Sequence, residues 1–141
     1  MGSRPGTKAS GRRTACQESG DAAESLIAGL LAARGWSVLA RNVHVGRSEL
    51  DIVATDPGPP ARLVVVEVRW RRSRGFGGPE GSFDHRKRAL LRLGVARLLE
   101  GGHLPDGSAL PRLPIAVDLA VVVQGPAGRP EARLYRNALN E

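Results

Sequence analysis

With one cysteine in 141 residues, Cys16, the chain cannot close an internal disulfide, and no CxxC pair offers a redox or zinc site. His44 has no second His or Cys at ligand spacing, which removes the usual zinc chemistry. Neither G-x-S-x-G nor H-E-x-x-H occurs, so the serine-hydrolase elbow and the zinc-protease helix are both missing. No Gly-Lys-Ser/Thr follows the glycine-rich stretch, which excludes a Walker loop. No run approaches the roughly 18 apolar residues of a membrane span, and no charged leader followed by an apolar segment opens the chain. A cytoplasmic protein without membrane contact is therefore expected. Acid is the scarcer charge: 14 Asp and Glu against 21 Lys and Arg leave a net charge of +7. That balance suits a polyanion, with nucleic acid, and DNA foremost, as the expected partner.

A composition 41% hydrophobic and 25% charged is that of one ordinary globular domain. Residues 1–19 have four basic side chains and no large aliphatic after Met1, so they read as a disordered basic tail, Cys16 included. Residues 20–141 form the expected single domain. Asp21 and Glu24 read as a D-x-x-E helix start, and Ala23, Leu26, Ile27, Leu30 and Leu31 mark one face of a first helix that Gly35 ends. Trp36 to Val43 alternates as a strand, with Trp36 in the core, and Asn42 to Ser48 reads as a turn.

The informative stretch runs from Arg47 to Arg72. Glu49 to Thr55 and Arg62 to Trp70 read as two strands joined by Asp56-Pro57-Gly58-Pro59-Pro60. Period two places Leu50, Ile52 and Ala54 on one face and Glu49, Asp51 and Val53 on the other. On the second strand it sets Val64, Val66, Val68 and Trp70 against Leu63, Val65, Glu67 and Arg69. Glu67, inside Leu63-Val64-Val65-Val66-Glu67-Val68, needs a cation, a metal ion or several donors to offset its desolvation. If the charged faces coincide, Asp51 and Glu67 converge, and with a strand carbonyl they make a hard-oxygen site for Mg²⁺ or Mn²⁺. Arg69, on the same face, adds positive charge for an anionic substrate.

Residues 71–82 are basic and glycine-rich, and read either as a flap carrying Arg71, Arg72 and Arg74 to phosphates or as a plain connector. Asp84 caps a second helix to about Glu100, with Leu90, Leu91, Leu93, Val95, Leu98 and Leu99 as its apolar set. Its first turn carries Arg86 and Lys87, against the helix dipole, as a phosphate contact or a solvated face. Ile115 to Val123 reads as a central strand with Asp118 as a second buried charge, and Glu131 to Asn137 as an edge strand.

Asp51 followed, after a hydrophobic run, by Glu67-Val68-Arg69 resembles the PD-(D/E)xK nuclease motif, with Arg69 where Lys is usual. The wider order is Gly20…Glu24, Gly35-Trp36…Ala40-Arg41-Asn42, Glu49-Leu50-Asp51, Val66-Glu67-Val68-Arg69-x-Arg71 and Arg86-Lys87. It is similar to the YraN family, with Ser48 in place of the usual Gly. The resemblance implies an α/β fold with a mixed central sheet flanked by helices, restriction-endonuclease-like, and a metal-dependent nuclease site. In that site Asp51 and Glu67 hold the metal with Glu24 nearby. Arg69 stabilises developing charge, since a guanidinium keeps its proton. By its position at the start of the second helix, not by the resemblance, Lys87 is assigned to orient the water, and the basic loop and helix start give Arg71, Arg72, Arg74 and Arg86 as substrate contacts. Glu24 thus has two readings, helix cap and metal neighbour. A non-catalytic nucleic-acid-binding module, with Glu67 and Arg69 as a structural ion pair, is the alternative.

Overall fold

A computed structural model describes residues 15–71 and 85–139. Five strands form one sheet in the order β1 (Ser37–Val45), β2 (Ser48–Asp56), β3 (Arg62–Arg71), β4 (Ile115–Gln124), β5 (Pro130–Tyr135). All neighbours are antiparallel except β3 and β4, which run parallel. A parallel pair needs a crossover, and α2 (His85–Gly101) supplies it, while α1 (Ala15–Ala33) precedes the sheet. The architecture is the mixed, helix-flanked α/β sheet expected, and it is open rather than closed into a barrel.

Each helix covers one face. Ala23, Ile27 and Leu31 of α1 pack with Trp36, Ile52, Ala54, Val64, Val66, Val68, Ala120 and Val122. Leu91, Val95 and Leu98 of α2 pack with Val43, Leu50, Val53, Leu63, Val65 and the alternate side chains of β4. Because β3 and β4 are covered on both faces, they read as near-continuous aliphatic runs. Trp36 is in the core, β4 lies inside the sheet next to the middle strand β3, and β5 is an edge, as the sequence suggests.

Several expectations are corrected. The helix start at Asp21 fails, because α1 already begins at Ala15; Asp21 and Glu24 are interior helical residues, and Glu24 is not the closing member of a capping box. The turn expected over Asn42 to Ser48 shrinks to two residues: β1 continues to Val45, and Gly46 at φ 60 opens the two-residue connection to Ser48. Positive φ at the first central position is where a tight hairpin favours glycine. Period two also breaks within β2. Leu50 and Val53 share the α2 face while Ile52 and Ala54 share the α1 face, so the alternation shifts at Asp51. The β1 ladder pairs Arg41 with Ile52 and Val43 with Leu50, leaving Asn42 and Asp51 opposite each other, and Asn42 takes the left-handed φ of 53. Asn tolerates that region better than most residues. Of the apolar set given to α2, Leu90, Leu93 and Leu99 are exposed, as is Leu30 on α1. Asp84 lies outside the described residues.

Candidate nucleic-acid site at the open end of the sheet

The break at Asp51 creates the site. The β2–β3 ladder runs from Asp56↔Arg62 to Ile52↔Val66 and goes no further. Where the strands part, the Val68 N–H donates to Asp51 Oδ2 at 2.8 Å, so a side chain satisfies a backbone group the ladder has released. A cavity of about 320 Å³ opens there, lined by Arg47, Ser48, Glu49, Asp51, Glu67, Arg69, Lys87, Leu90 and Leu91. Asp51, Glu67, Arg69 and Lys87, expected together from the sequence, thus share one wall system.

Ser48 sets how near α2 comes. Its hydroxyl donates to the Leu90 carbonyl at 3.0 Å, and a Cβ on Gly94 would lie 2.7 Å from Ser48 Cβ. The helix can approach only because residue 94 lacks a side chain. That close approach brings Lys87 and Leu90 over the strands.

The electrostatics are unbalanced. Glu67 is buried, and Arg69 Nη2 meets its Oε2 at 3.0 Å, but Glu67 Oε1 and Arg69 Nε are both buried without a partner among the described residues. Burial first, then the Asp51 charge, push the Glu67 pKa up to about 8, against the opposing pull of Arg69 and Lys87. The Asp51 and Glu67 carboxyls share a hydrogen bond that needs a proton on one of them, because two carboxylates have none to donate.

Glu24 stands behind this pair on α1. Burial and then the Asp51 charge raise its pKa, opposed by Arg41, whose Nη2 lies 3.4 Å from Glu24 Oε1. Among the described residues no three carboxyl, imidazole or thiol side chains form a group able to hold an ion by themselves. Glu24 is therefore not drawn into one ligand set with Asp51 and Glu67. Arg86 is exposed on the first turn of α2, and Arg71 ends β3 half-buried. Arg72 and Arg74 lie outside the described residues. Sequence reasoning missed Arg47 and Glu49 as lining residues, although their place beside Asp51 was a usable signal.

Asp118, the second buried charge, belongs to a different cluster on the α1 face. Its Oδ1 accepts from the Asn137 N–H at 2.9 Å, and its Oδ2 meets Arg62 Nη2 at 3.4 Å and Arg136 Nε at 3.3 Å. Asp56 Oδ1 accepts from the Gly58 N–H at 2.9 Å, and its Oδ2 meets Arg62 at 3.1 Å and Arg136 at 2.9 Å. Arg136 also lies 6.0 Å from the Trp36 ring centroid.

Fold and site together define an open, helix-flanked α/β protein with a carboxylate pair and several cations where its sheet splays. The chain belongs to UPF0102, the YraN family: the sequence model described as uncharacterised protein family UPF0102 matches residues 23–122. A UPF0102 protein of Symbiobacterium thermophilum is 37% identical over 122 residues, 86% of this chain and 95% of that protein. One from Methylococcus capsulatus is 36% identical over 121 residues, 85% of this chain and 89% of its own length. One from Xanthomonas euvesicatoria is 43% identical over 95 residues, 67% and 74% of the two chains. No helix among the described residues is long and apolar enough to cross a membrane.

Proposed function

We propose that this chain is a metal-dependent nuclease-like protein acting in the cytoplasm on nucleic-acid phosphodiesters, DNA foremost. The observation that carries the reading is Glu67, a buried carboxylate beside Asp51 with an oxygen that no donor among the described residues reaches. A pair of acids in so poorly compensated a setting is explained most simply by a site that takes a cation.

The donor set fits such an ion. Two carboxylates beside a strand end are hard oxygen ligands, and Mg²⁺ is commonly held by one or two carboxylates with waters and substrate phosphate completing its shell. Asp51 and Glu67 would hold Mg²⁺ or Mn²⁺, with Glu24 as an outer carboxylate behind Asp51. Such an ion, when bound, supplies a polarised water and neutralises charge at phosphorus. The rest falls to the protein. Arg69 binds a phosphate oxygen through the Nε–H that has no acceptor among the described residues, and because a guanidinium keeps its proton it stabilises charge rather than moving protons. Lys87, across the cavity, orients the attacking water. Arg71, Arg72, Arg74 and Arg86 hold flanking phosphates, a contribution that salt weakens.

A second reading has its own support. The 3.0 Å Arg69–Glu67 pair is what a non-catalytic binding module with a structural ion pair would contain. Titration of Mn²⁺ by calorimetry, with nicking assays on linear, branched and single-stranded DNA in Mg²⁺ and Mn²⁺, separates the two. The nuclease reading expects Mn²⁺ binding and cleavage that Asp51→Ala abolishes without unfolding the domain. A folded wild-type protein that neither binds Mn²⁺ nor cleaves any of these substrates is the binding module.

A further inference from the structure

Helix α2 presents to solvent a stripe that its packing does not explain. Arg86, Leu90, Leu93 and Arg97 fall at i, i+4, i+7 and i+11, which places them along one side of the helix. Leu90 is 44% and Leu93 47% exposed, whereas the same helix buries Leu91, Val95 and Leu98. The stripe is continuous with the candidate site, because Leu90 and Lys87 both line the cavity. At its other end Arg97 lies against the β1–β2 turn, so close that a Cβ on Gly46 would collide with its guanidinium. Arg47, the next residue in that turn, lines the cavity as well. None of Arg47, Arg86 and Arg97 forms an ion pair with another described residue.

Cations at both ends with two leucines between them do not match what an intact duplex offers from outside. A duplex backbone presents sugar and phosphate, and its bases are stacked and paired within. An unpaired strand presents phosphates and exposed base faces together, and protein sites for such strands combine a basic track with side chains that take the base faces, aromatic ones by preference; exposed leucines offer the same faces an apolar contact. From residue 86 to residue 97 the helix rises roughly 16 Å, the reach of several nucleotides. The cavity at its head, about 320 Å³, joins the Leu90 and Leu91 side chains to Arg47, Arg69 and Lys87, an apolar wall facing cations.

We propose that the site receives nucleic acid as an unpaired strand, with bases against Leu90 and Leu93 and phosphates on Arg47, Arg86 and Arg97. The inference rests on the nuclease-like reading for the position of the cleaved bond, but the binding preference stands apart from cleavage. The rival occupant of the leucines is a second copy of this chain.

The test uses the full chain and three fluorescent DNAs of equal length: a single strand, a duplex, and a duplex with an internal single-stranded gap. Anisotropy is measured in Ca²⁺, and a 2-aminopurine in the gap reports base unstacking. The single strand and the gapped duplex are expected to bind at least about fivefold more tightly than the duplex, the effect of burying much of one half-exposed leucine. The ratio should fall toward one in Leu90→Ala/Leu93→Ala, whose circular dichroism should match wild type because both side chains are exposed. Equal or tighter binding of the intact duplex overturns the proposal. So does a preference that survives the double substitution while sedimentation shows the same substitution converting a dimer to a monomer. Cleavage assays on the same DNAs in Mn²⁺ keep the two readings apart. Cleavage with a duplex preference leaves the nuclease and removes the unpaired-strand site. An unpaired-strand preference with no cleavage does the reverse.

Discussion

Two clusters of acids and arginines lie on opposite faces of this sheet, and they differ in how fully their charges are matched. On the α1 face, Asp56 and Asp118 share Arg62 and Arg136, and two backbone N–H groups take the remaining carboxylate oxygens. On the α2 face, Asp51 and Glu67 have between them, among the described residues, one close arginine and one backbone N–H, and an oxygen and a nitrogen are left over there. The pKa directions follow. Burial raises that of Asp56, but the Gly58 N–H and the hydrogen bond and charges of Arg62 and Arg136 outweigh it and hold the carboxyl below its ordinary value. Glu67 goes the other way, to about 8. Buried charge alone therefore does not single out a candidate site; incomplete compensation is the sharper signal.

The sharpest way to break this comparison is Asp118→Ala. It takes the acceptor from the Asn137 N–H and leaves Arg62 and Arg136 to Asp56 alone, and should cost about 1 to 3 kcal/mol in urea unfolding. A loss under about 1 kcal/mol would mean that the matched cluster is not structural.

Glu67→Gln should act oppositely in the metal-free protein, raising stability at pH 8.5 by about 1 to 3 kcal/mol, the cost of a buried group left uncompensated. The sign follows from linkage. The folded protein keeps the Glu67 proton that the unfolded chain releases near 4.5, so Glu67 makes stability fall as pH rises from 4.5 to about 8. The substitution should flatten that slope. Asp56, with a lowered pKa, should make stability fall as pH drops below 3.8. Unfolding curves across pH 3 to 9 test both directions, and a stability that climbs between pH 5 and 8 in wild type but not in Glu67→Gln contradicts the assignment.

Gly94→Ala probes what holds α2 over the site. Its Cβ would press on Ser48 and on Leu50, 3.2 Å from Leu50 Cδ2, and overpacking should cost about 1 to 3 kcal/mol despite the better helix propensity of alanine. Adding Ser48→Gly should recover part of the loss in a double-mutant cycle; strict additivity would place the clash elsewhere.

The smallest expected change is Arg69→Lys. Lysine keeps a positive charge beside Glu67, so Mn²⁺-dependent nicking should stay within about tenfold of wild type, where one lost hydrogen bond accounts for the difference. A complete loss of nicking would assign Arg69 a two-pronged contact that lysine cannot make.

Much of this was legible beforehand. Glu67 stood out because no strand buries a carboxylate without a reason, and the apolar runs of β3 and β4 announced strands covered on both faces. Period two placed β3 correctly, Glu67 and Arg69 included. It failed in β2 because the alternation shifts at Asp51, opposite the left-handed Asn42 of the neighbouring strand, and no pattern in the sequence reports a backbone angle. The helical face of α2 was read too widely for a related reason. Leucines at helical spacing say which side can be apolar, while the width actually covered depends on the sheet beneath.

The sequence by itself determined the element order, the family and the residue types of the candidate site, since hydrophobic period and residue chemistry are local properties of the chain. Only the tertiary structure decided which charges are matched. Asp118 and Glu67 look alike as acids within aliphatic strands, and what separates them is the number of donors brought to each from other elements. Arg136 and Asn137 arrive from beyond β5 to satisfy Asp118, and nothing among the described residues arrives for Glu67 Oε1. That difference is a matter of long-range packing, which decides desolvation and partnership together.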